Sequence, residues 1–264
     1  MTAREFPTKE FKDKAELFAA LKENKQLLID SKKAAVKFSD GILSKGIKLD
    51  SKKFDIPDGK IAAVINTTKY LDSHNDLHVD GIWSRSVSDN QGKLYYVSDH
   101  NLEVGSVIVY PGNLEVKLMD LSWSELGADF AGKTQALVYL FEEKDIVSEA
   151  ARQAIERKAP VQNSVRMQYV NYSLAMDSPD ADFKEEKAEW DEFFPMVANK
   201  ERAVEMGYFW VVKEAKIYKE GSMVLSGSND ITPMNYGKSE PAVATPSHNE
   251  PPLGTQKSMN TIFF

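Results

Sequence analysis

The chain has 264 residues, of which 42% are hydrophobic and 28% charged, a balance that supports a buried core and excludes wholesale disorder. It contains no cysteine, which excludes a disulfide scaffold, a thiolate zinc site and a cysteine nucleophile. The formal net charge of −7 argues against a protein that coats nucleic acid non-specifically. No apolar run approaches the length of a membrane helix, about 18 residues. The polar start also lacks the apolar core of a signal peptide, so we expect a soluble protein that functions inside a cell.

The first 60 residues are basic, with 14 lysines and arginines against 10 acidic residues. Residues 12–38 carry apolar side chains at helical spacing, among them Leu17, Leu21 and Leu28, with lysines and glutamates between them. This pattern predicts one basic amphipathic helix. Such a helix either packs over the core or binds a partner.

Short strands are predicted from residue 61 onward, because apolar runs alternate with Gly, Asn, Asp or Pro. The predicted strands cover residues 61–66, 94–97, 107–110, 136–141, 164–176, 208–219 and 223–225. A helix is predicted over 145–158, with Asp145 as its N-cap. Residues 177–192 hold 8 acidic and 2 basic side chains. They are predicted to form a solvated insert that leads into a charged helix ending near Met206.

The composition changes again after Gly237, where four prolines and few large apolar residues predict a disordered tail. We therefore expect a basic helical N-terminal segment (1–59), a folded domain (60–237) and a disordered Pro-rich tail (238–264). Short strands with two or three helices favour an α+β fold, with an antiparallel sheet or small barrel and helices packed outside.

Two histidines suggest a metal site at first sight. His74 and His78 lie four residues apart, a spacing at which two helical histidines share a metal ion. However, the neighbouring Asp72, Asn75 and Gly81 favour a loop. We therefore expect hydrogen-bonded or exposed loop residues here rather than a metal site.

Three other residues are candidates for catalysis. His100 follows an apolar strand, a place that suits either a general base or a structural histidine. Ser164 follows a polar turn and is either a nucleophile or an ordinary residue at a strand start. Glu220 lies where a strand is predicted to end, either as an edge glutamate in solvent or as a carboxylate at a cleft. The sequence lacks the motifs G-x-S-x-G, G-x-x-x-x-G-K-[ST] and G-x-G-x-x-G, which argues against an α/β-hydrolase and a P-loop phosphate site.

Four blocks, taken in order, resemble a known family. They are residues 76–83 (DLHVDGIW), 97–105 (VSDHNLEVG), 163–170 (NSVRMQYV) and 218–233 (YKEGSMVLSGSNDITP). Together they resemble the prohead maturation proteases of tailed bacteriophages, whose fold is similar to that of the herpesvirus assemblins. The resemblance covers residues 60–235, and its last block is the most specific.

The resemblance implies a serine endopeptidase with an antiparallel, barrel-like fold of the assemblin type. Ser164 is then the nucleophile and His100 the general base. Glu220 is the first candidate for the third triad member, because family members have Glu or His in that role, and Ser222 is a less favoured contributor. Arg166 departs from the family, in which a small residue, often Gly, stands two places after the serine. It either crowds the site or places a cation near the oxyanion, a region in which assemblin-like proteases use arginine.

The resemblance also implies a biological setting. Such a protease lies inside the immature capsid in the host cytoplasm and cleaves scaffold protein, the major capsid protein and often itself. We expect no cofactor or metal, no nucleic-acid or membrane partner, and possible self-association. The tail holds either an autocleavage site or a scaffold-like extension, and removal of the N-terminal segment by autocleavage is the other alternative. Three alternatives stay open: a catalytically inactive capsid-assembly or scaffold protein with the same fold, a small β-barrel binding module, and an unrelated enzyme.

Overall fold

The computed structural model describes residues 1–39, 56–57, 59–159 and 161–225, together with the backbone of Met234–Asn235. These residues form a mixed α+β structure, which confirms the predicted fold class. The strands are β1 (Thr2–Ala3), β2 (Phe6–Glu10), β3 (Lys37–Phe38), β4 (Lys60–Thr67), β5 (Asp76–His78), β6 (Tyr95–Ser98), β7 (Val107–Val109), β8 (Glu115–Ser122), β9 (Lys133–Glu142), β10 (Gln162–Met176), β11 (Tyr208–Val224) and β12 (Met234–Asn235). The α-helices are α1 (Lys14–Glu23), α2 (Lys25–Ala34), α3 (Ser84–Asp89), α4 (Glu149–Glu156), α5 (Lys184–Phe193) and α6 (Lys200–Met206). The predicted tail, 238–264, lies outside the described residues.

The described strands form separate sheets and no closed barrel. One sheet has the order β3-β10-β11-β6-β7, with β5 also paired to β11, and a second has the order β12-β4-β9-β8. β10 and β11 are antiparallel, but β5 and β6 both pair with β11 in parallel. The described strands therefore depart from the predicted antiparallel, barrel-like sheet, although β10 and β11 are antiparallel. The physical reason is that β11, with 17 residues, is long enough to pair with β5 near one end and with β6 near the other.

The sheet that contains β4 and β9 has an apolar core on each of its two faces. Ile61, Ala63 and Ile65 of β4 lie in the main core with side chains of β10 and β11. The alternate residues Ala62 and Val64 lie in a second core on the other face. Since successive side chains of a strand point to opposite faces, the continuous apolar run of β4 places it between two layers. β4 is therefore a central strand.

The single helix predicted over 12–38 is wrong, because the chain forms α1 and α2 with a break at Asn24. The Asn24 side chain donates to the carbonyl of Ala20 at 2.9 Å. This contact is a local alternative to continued helix. Leu17 and Leu21 of α1 are fully buried in the main core, so α1 packs on the domain. After α2 the chain continues into β3, at the edge of β10.

The N-cap predicted at Asp145 is also wrong. Asp145 lies in a short 3-10 turn, Glu143–Asp145, and α4 begins after Ser148. The Ser148 hydroxyl accepts a hydrogen bond from the amide of Ala151 at 3.2 Å. Serine in this position satisfies an amide of the first turn as an aspartate would.

The acidic stretch 177–192 is not a solvated insert throughout. Trp190 and Phe193 of α5 are buried against β11, so the helix has an apolar inner face. Glu186, 1% exposed, forms ion pairs with Lys25 at 2.6 Å and with Lys22 at 3.6 Å. Its charge therefore holds α5 to the basic N-terminal helices. Among the described residues, no helix is long and apolar enough to cross a membrane.

Candidate active site

His100 is held at the end of β6 by an unusual backbone. Asp99 and His100 have φ values of 51° and 56°, in the left-handed region that few residues other than glycine adopt. The His100 amide donates to the Ser222 hydroxyl at 2.8 Å, and that hydroxyl donates in turn to the carbonyl of Val97 at 3.1 Å. Ser222 therefore positions the histidine through its backbone. The predicted location of His100, just beyond a buried strand, is confirmed.

Ser164 reaches the histidine because of strand register. It lies on β10 directly opposite Ser222 on β11, and directly opposed residues share one face of the sheet. The residue that fixes His100 and the candidate nucleophile therefore project from the same face. Ser164 is 1% exposed.

Glu220 occupies a place that the sequence pattern did not predict. β11 does not end there but runs on to Val224, because β6 supplies a parallel partner from Glu220 to Met223. The alternative of an edge glutamate in solvent is wrong, since Glu220 is fully buried. Glu220 and Ser222 are two residues apart and thus lie on one face of the strand.

A wide irregularity in the β10–β11 pairing directs Glu220 inward. The register passes from Val165↔Gly221 to Met167↔Ile217, so one residue of β10 faces three residues of β11. Lys219, one of these three residues, has a φ of 70°, so the backbone of β11 leaves the extended conformation there. Such bulges change the direction of side chains and occur beside active sites.

The three candidate residues form one hydrogen-bonded series. The Ser164 Oγ lies 2.8 Å from His100 Nε2, and His100 Nδ1 lies 2.8 Å from Glu220 Oε1. A base beside the hydroxyl and a carboxylate behind the base is the arrangement that activates a serine for nucleophilic attack. The structure thus brings together His100, Ser164 and Glu220, which lie far apart in the sequence, and their catalytic role stays a prediction.

Glu220 is enclosed by other side chains, with no exposed surface. Glu220 Oε2 has no hydrogen-bond partner among the described residues, nor has the buried Tyr139 hydroxyl. Burial, reinforced by the negative charge of Glu220, raises the pKa of Tyr139 well above its ordinary value. The carboxylate therefore acts on the imidazole through a medium of low polarity, in which electrostatic interactions are strong.

Gly221 allows this packing. A Cβ at Gly221 would lie 2.8 Å from Tyr139 Cε2 and 3.0 Å from Ile65 Cγ2, closer than carbon atoms pack. Only glycine lets the Tyr139 ring rest against the backbone between Glu220 and Ser222. The Glu-Gly-Ser order in the sequence thus has a steric reason.

Arg166 lies beside the triad, against aromatic rings. Its guanidinium carbon is 4.9 Å from the centre of the Tyr218 ring and 5.8 Å from that of Phe38. Within the described residues its Nε is buried without a hydrogen-bond partner. The Phe38 ring in turn lies 4.3 Å from the His100 ring. These contacts place the cation of Arg166 against two rings beside the site, and both roles considered for it stay predictions.

Sequence reasoning missed Ser39, which contacts the candidate nucleophile directly. The Ser164 hydroxyl donates to the Ser39 carbonyl at 2.7 Å, and the Val165 amide donates to Ser39 Oγ at 2.9 Å. Ser39 is 125 residues from Ser164. No local pattern marks it, so only the tertiary structure reveals the contact.

The histidines considered for a metal site have other contacts. His78 lies in β5 rather than in a loop, and its two ring nitrogens lie 3.1 Å from Asn66 Oδ1 and 3.1 Å from the Tyr169 hydroxyl. His74 Nδ1 lies 3.3 Å from the Ser73 hydroxyl. The described residues contain no group of three or more His, Cys, Asp or Glu side chains that could hold a metal ion.

A second buried polar cluster centres on Asp76, beside His78. Its two carboxylate oxygens accept from Lys32 and Lys37, each at 2.9 Å, and also from the hydroxyls of Tyr169 and Tyr172. Burial by itself would raise the pKa of Asp76, but the two lysines outweigh it and hold the pKa well below its ordinary value. The cluster fastens the N-terminal segment to β5.

Known proteins offer no guide to the function of this chain. No protein-family model matches it, and no curated protein or solved structure is significantly similar to it. The hydrogen-bonded series of Ser164, His100 and Glu220 is therefore the observation from which a function is inferred.

Proposed function

We propose that the chain is a serine endopeptidase that cleaves scaffold protein or the major capsid protein, and itself, during the maturation of a bacteriophage prohead. The series of Ser164, His100 and Glu220, with both contacts at 2.8 Å, carries the reaction class. The motif order from residue 76 to residue 233 supplies the substrate class and the place of action, inside the immature capsid in the host cytoplasm. An assemblin-like relationship is proposed on the same motifs.

In this mechanism His100 works first as a base and then as an acid. A neutral His100 that donates Nδ1–H to Glu220 leaves Nε2 free to accept the Ser164 proton as the hydroxyl oxygen attacks the scissile carbonyl. The buried carboxylate stabilises the imidazolium that forms. Nε2–H then protonates the leaving amine, and a water attacks the acyl-enzyme by the same route.

The tetrahedral oxyanion needs donors near Ser164. The Val165 amide follows the nucleophile directly and is the first candidate, since oxyanion holes are built from such backbone groups. Loss of one such donor costs about 10²–10³-fold in rate. Arg166, whose guanidinium lies against the rings of Tyr218 and Phe38, is the second candidate.

A catalytically inactive capsid-assembly or scaffold protein with the same fold is the second candidate function. Two observations favour it. Arg166 replaces the small residue of the family, and Ser39 takes a hydrogen bond from the Ser164 hydroxyl at 2.7 Å, the same hydroxyl that His100 has to deprotonate.

Co-expression with the cognate capsid and scaffold proteins separates the two candidates. The wild-type chain is expected to trim a substrate, while Ser164→Ala and His100→Ala are expected to leave it intact. Ser173→Ala is the matched control. It removes a hydroxyl from the same strand, but that hydroxyl contacts Glu189 at 2.7 Å, so trimming should persist. Trimming that survives in both Ser164→Ala and His100→Ala would contradict the protease assignment.

Intact mass of the purified chains tests self-processing. The wild-type protein is expected to lose a segment that Ser164→Ala retains. Identical masses for the two proteins would remove self-cleavage from the proposal, while leaving cleavage of other proteins untouched.

A further inference from the structure

The N-terminal segment reaches the triad as a strand. Lys37–Phe38 pairs antiparallel with β10, with Phe38 opposite Arg166 and Lys37 opposite Met167. The Ser39 amide continues the ladder by donating to the carbonyl of Val165 at 3.0 Å. The segment therefore covers the edge of β10 where the candidate nucleophile lies. An exposed sheet edge of this kind is a template for binding an extended peptide.

Ser39 accepts hydrogen bonds from the two groups that the proposed reaction would use, the Ser164 hydroxyl and the Val165 amide. Its carbonyl accepts from the Ser164 hydroxyl at 2.7 Å, and its Oγ accepts from the Val165 amide at 2.9 Å. A hydroxyl has one proton, so Ser164 cannot donate to Ser39 and to the imidazole at once. The segment thus competes with the base for the proton and occupies the amide proposed for the oxyanion.

The two residues before Ser39 fix the segment from opposite sides. The centres of the Phe38 and His100 rings are 4.3 Å apart. The guanidinium of Arg166 lies 5.8 Å from the centre of the Phe38 ring. Lys37 forms an ion pair with the buried Asp76 at 2.9 Å and lies over the Tyr169 ring at 4.3 Å. An aromatic contact on one side and a buried carboxylate on the other give this edge side-chain selectivity as well as backbone pairing.

We propose that the edge of β10 beside Ser164 is a binding site for an extended peptide, and that the segment Lys37–Ser39 occupies it as an intramolecular pseudosubstrate. The preferred peptide has a basic, an aromatic and a small hydroxyl residue in succession. The inference deepens the proposed protease function and rests on it for its catalytic consequence, that the occupied chain is latent. A tethered segment acts at an effective concentration of about millimolar, so a free peptide binds only after the segment is weakened.

The absence of cysteine from the sequence permits a test that needs no catalysis. Ser164→Cys gives the chain a single thiol at the covered position, and its rate of alkylation by iodoacetamide reports access. Adding Phe38→Ala and Ser39→Pro removes the aromatic contact and the Ser39 amide donor. We call the chain with all three substitutions the released variant. We expect it to react at least about tenfold faster than Ser164→Cys alone, because alkylation of its thiol does not require local unfolding of the covering segment.

Two further variants control the comparison. Adding Leu27→Ala to Ser164→Cys changes an exposed side chain of α2, outside Lys37–Ser39, and should leave the alkylation rate unchanged. If circular dichroism shows that the variant with proline is unfolded, Ser164→Cys with Phe38→Asp replaces it, because an aspartate keeps the backbone donor and loses the ring contact. Equal alkylation rates for Ser164→Cys with and without the weakened segment would overturn the proposal.

Peptide protection tests the binding site itself. A synthetic peptide with the sequence AVKFSDGIL, identical to residues 35–43, is expected to slow alkylation of the released variant, while a scrambled peptide is not. Equal protection by both peptides would contradict the proposed selectivity.

Labelling of Ser164 by a fluorophosphonate separates this inference from the proposed function. In the chain that keeps Ser164, the Phe38→Ala and Ser39→Pro changes should speed labelling. A thiol that becomes accessible while the serine stays unlabelled would support the peptide site and contradict the protease. Rapid labelling of the wild-type serine, together with equal alkylation rates for Ser164→Cys with and without the weakened segment, would support the protease and contradict the peptide site.

Discussion

Replacing Asp76 by Asn removes the charge at the centre of the second buried cluster and leaves its shape almost unchanged. Asp76 is 1% exposed, whereas the side chains of Lys32 and Lys37 are 16% and 17% exposed, and both ammonium groups lie 2.9 Å from it. Loss of one partner from a buried ion pair costs about 3–5 kcal/mol, because the other charge stays uncompensated. Since both lysines keep some contact with water, we expect a loss of about 3 kcal/mol in the free energy of unfolding.

The measurement is urea unfolding followed by tryptophan fluorescence. Trp210 stacks on Tyr172 with ring centres 4.9 Å apart, and the Tyr172 hydroxyl donates a hydrogen bond to Asp76. The fluorescent Trp210 therefore lies close to the substitution. The matched control is Asp80→Asn. Asp80 forms an ion pair with Lys69 at 2.6 Å, but its side chain is 44% exposed, so the loss should stay below about 1 kcal/mol. A loss below 1 kcal/mol for Asp76→Asn as well would refute the reasoning.

The same carboxylate predicts an acid dependence of stability. Its pKa is lowered in the folded chain, so its contribution is complete above the ordinary aspartate pKa of about 4. It is lost as the pH falls from there toward the lower folded-state pKa. Burial lowers the pKa of Lys37 against the attraction of Asp76. Wild-type stability should therefore fall below about pH 4 by a component that Asp76→Asn lacks, and parallel pH profiles for the two proteins would contradict this.

Three further substitutions test the site and its support. In the variant with Phe38→Ala and Ser39→Pro, Glu220→Gln should slow fluorophosphonate labelling of Ser164 by about 10⁴-fold, the scale seen when a triad loses its carboxylate, and a loss below tenfold would argue against a triad. Gly221→Ala should cost about 1–3 kcal/mol in urea unfolding because its Cβ meets the Tyr139 ring, and unchanged stability would mean that the ring moves aside freely. Leu17→Ala should cost about 2–5 kcal/mol, since this side chain is fully buried, and a loss below 1 kcal/mol would contradict the packing of α1 on the core.

Local sequence patterns predicted the parts of the site that local interactions determine. The apolar run before His100 and the long alternating run after Ser164 correspond to β6 and β10, because strand propensity and side-chain alternation act over a few residues. The α+β class follows from the same patterns. The break at Asn24 and the true cap at Ser148 were not predicted, since helix limits depend on single side-chain hydrogen bonds for which several neighbouring side chains compete.

The class of fold and the three candidate triad residues could therefore be predicted from the sequence. The burial of Glu220, its bond to His100 and the contact of Ser39 with Ser164 were decided only by the tertiary structure. The imidazole lies 64 residues from Ser164 and 120 from Glu220. Their meeting depends on a parallel strand that extends β11 and on an irregular register between β10 and β11. Pairing partners and register are set by the burial of whole faces, so segments remote in sequence decide together which side chains meet.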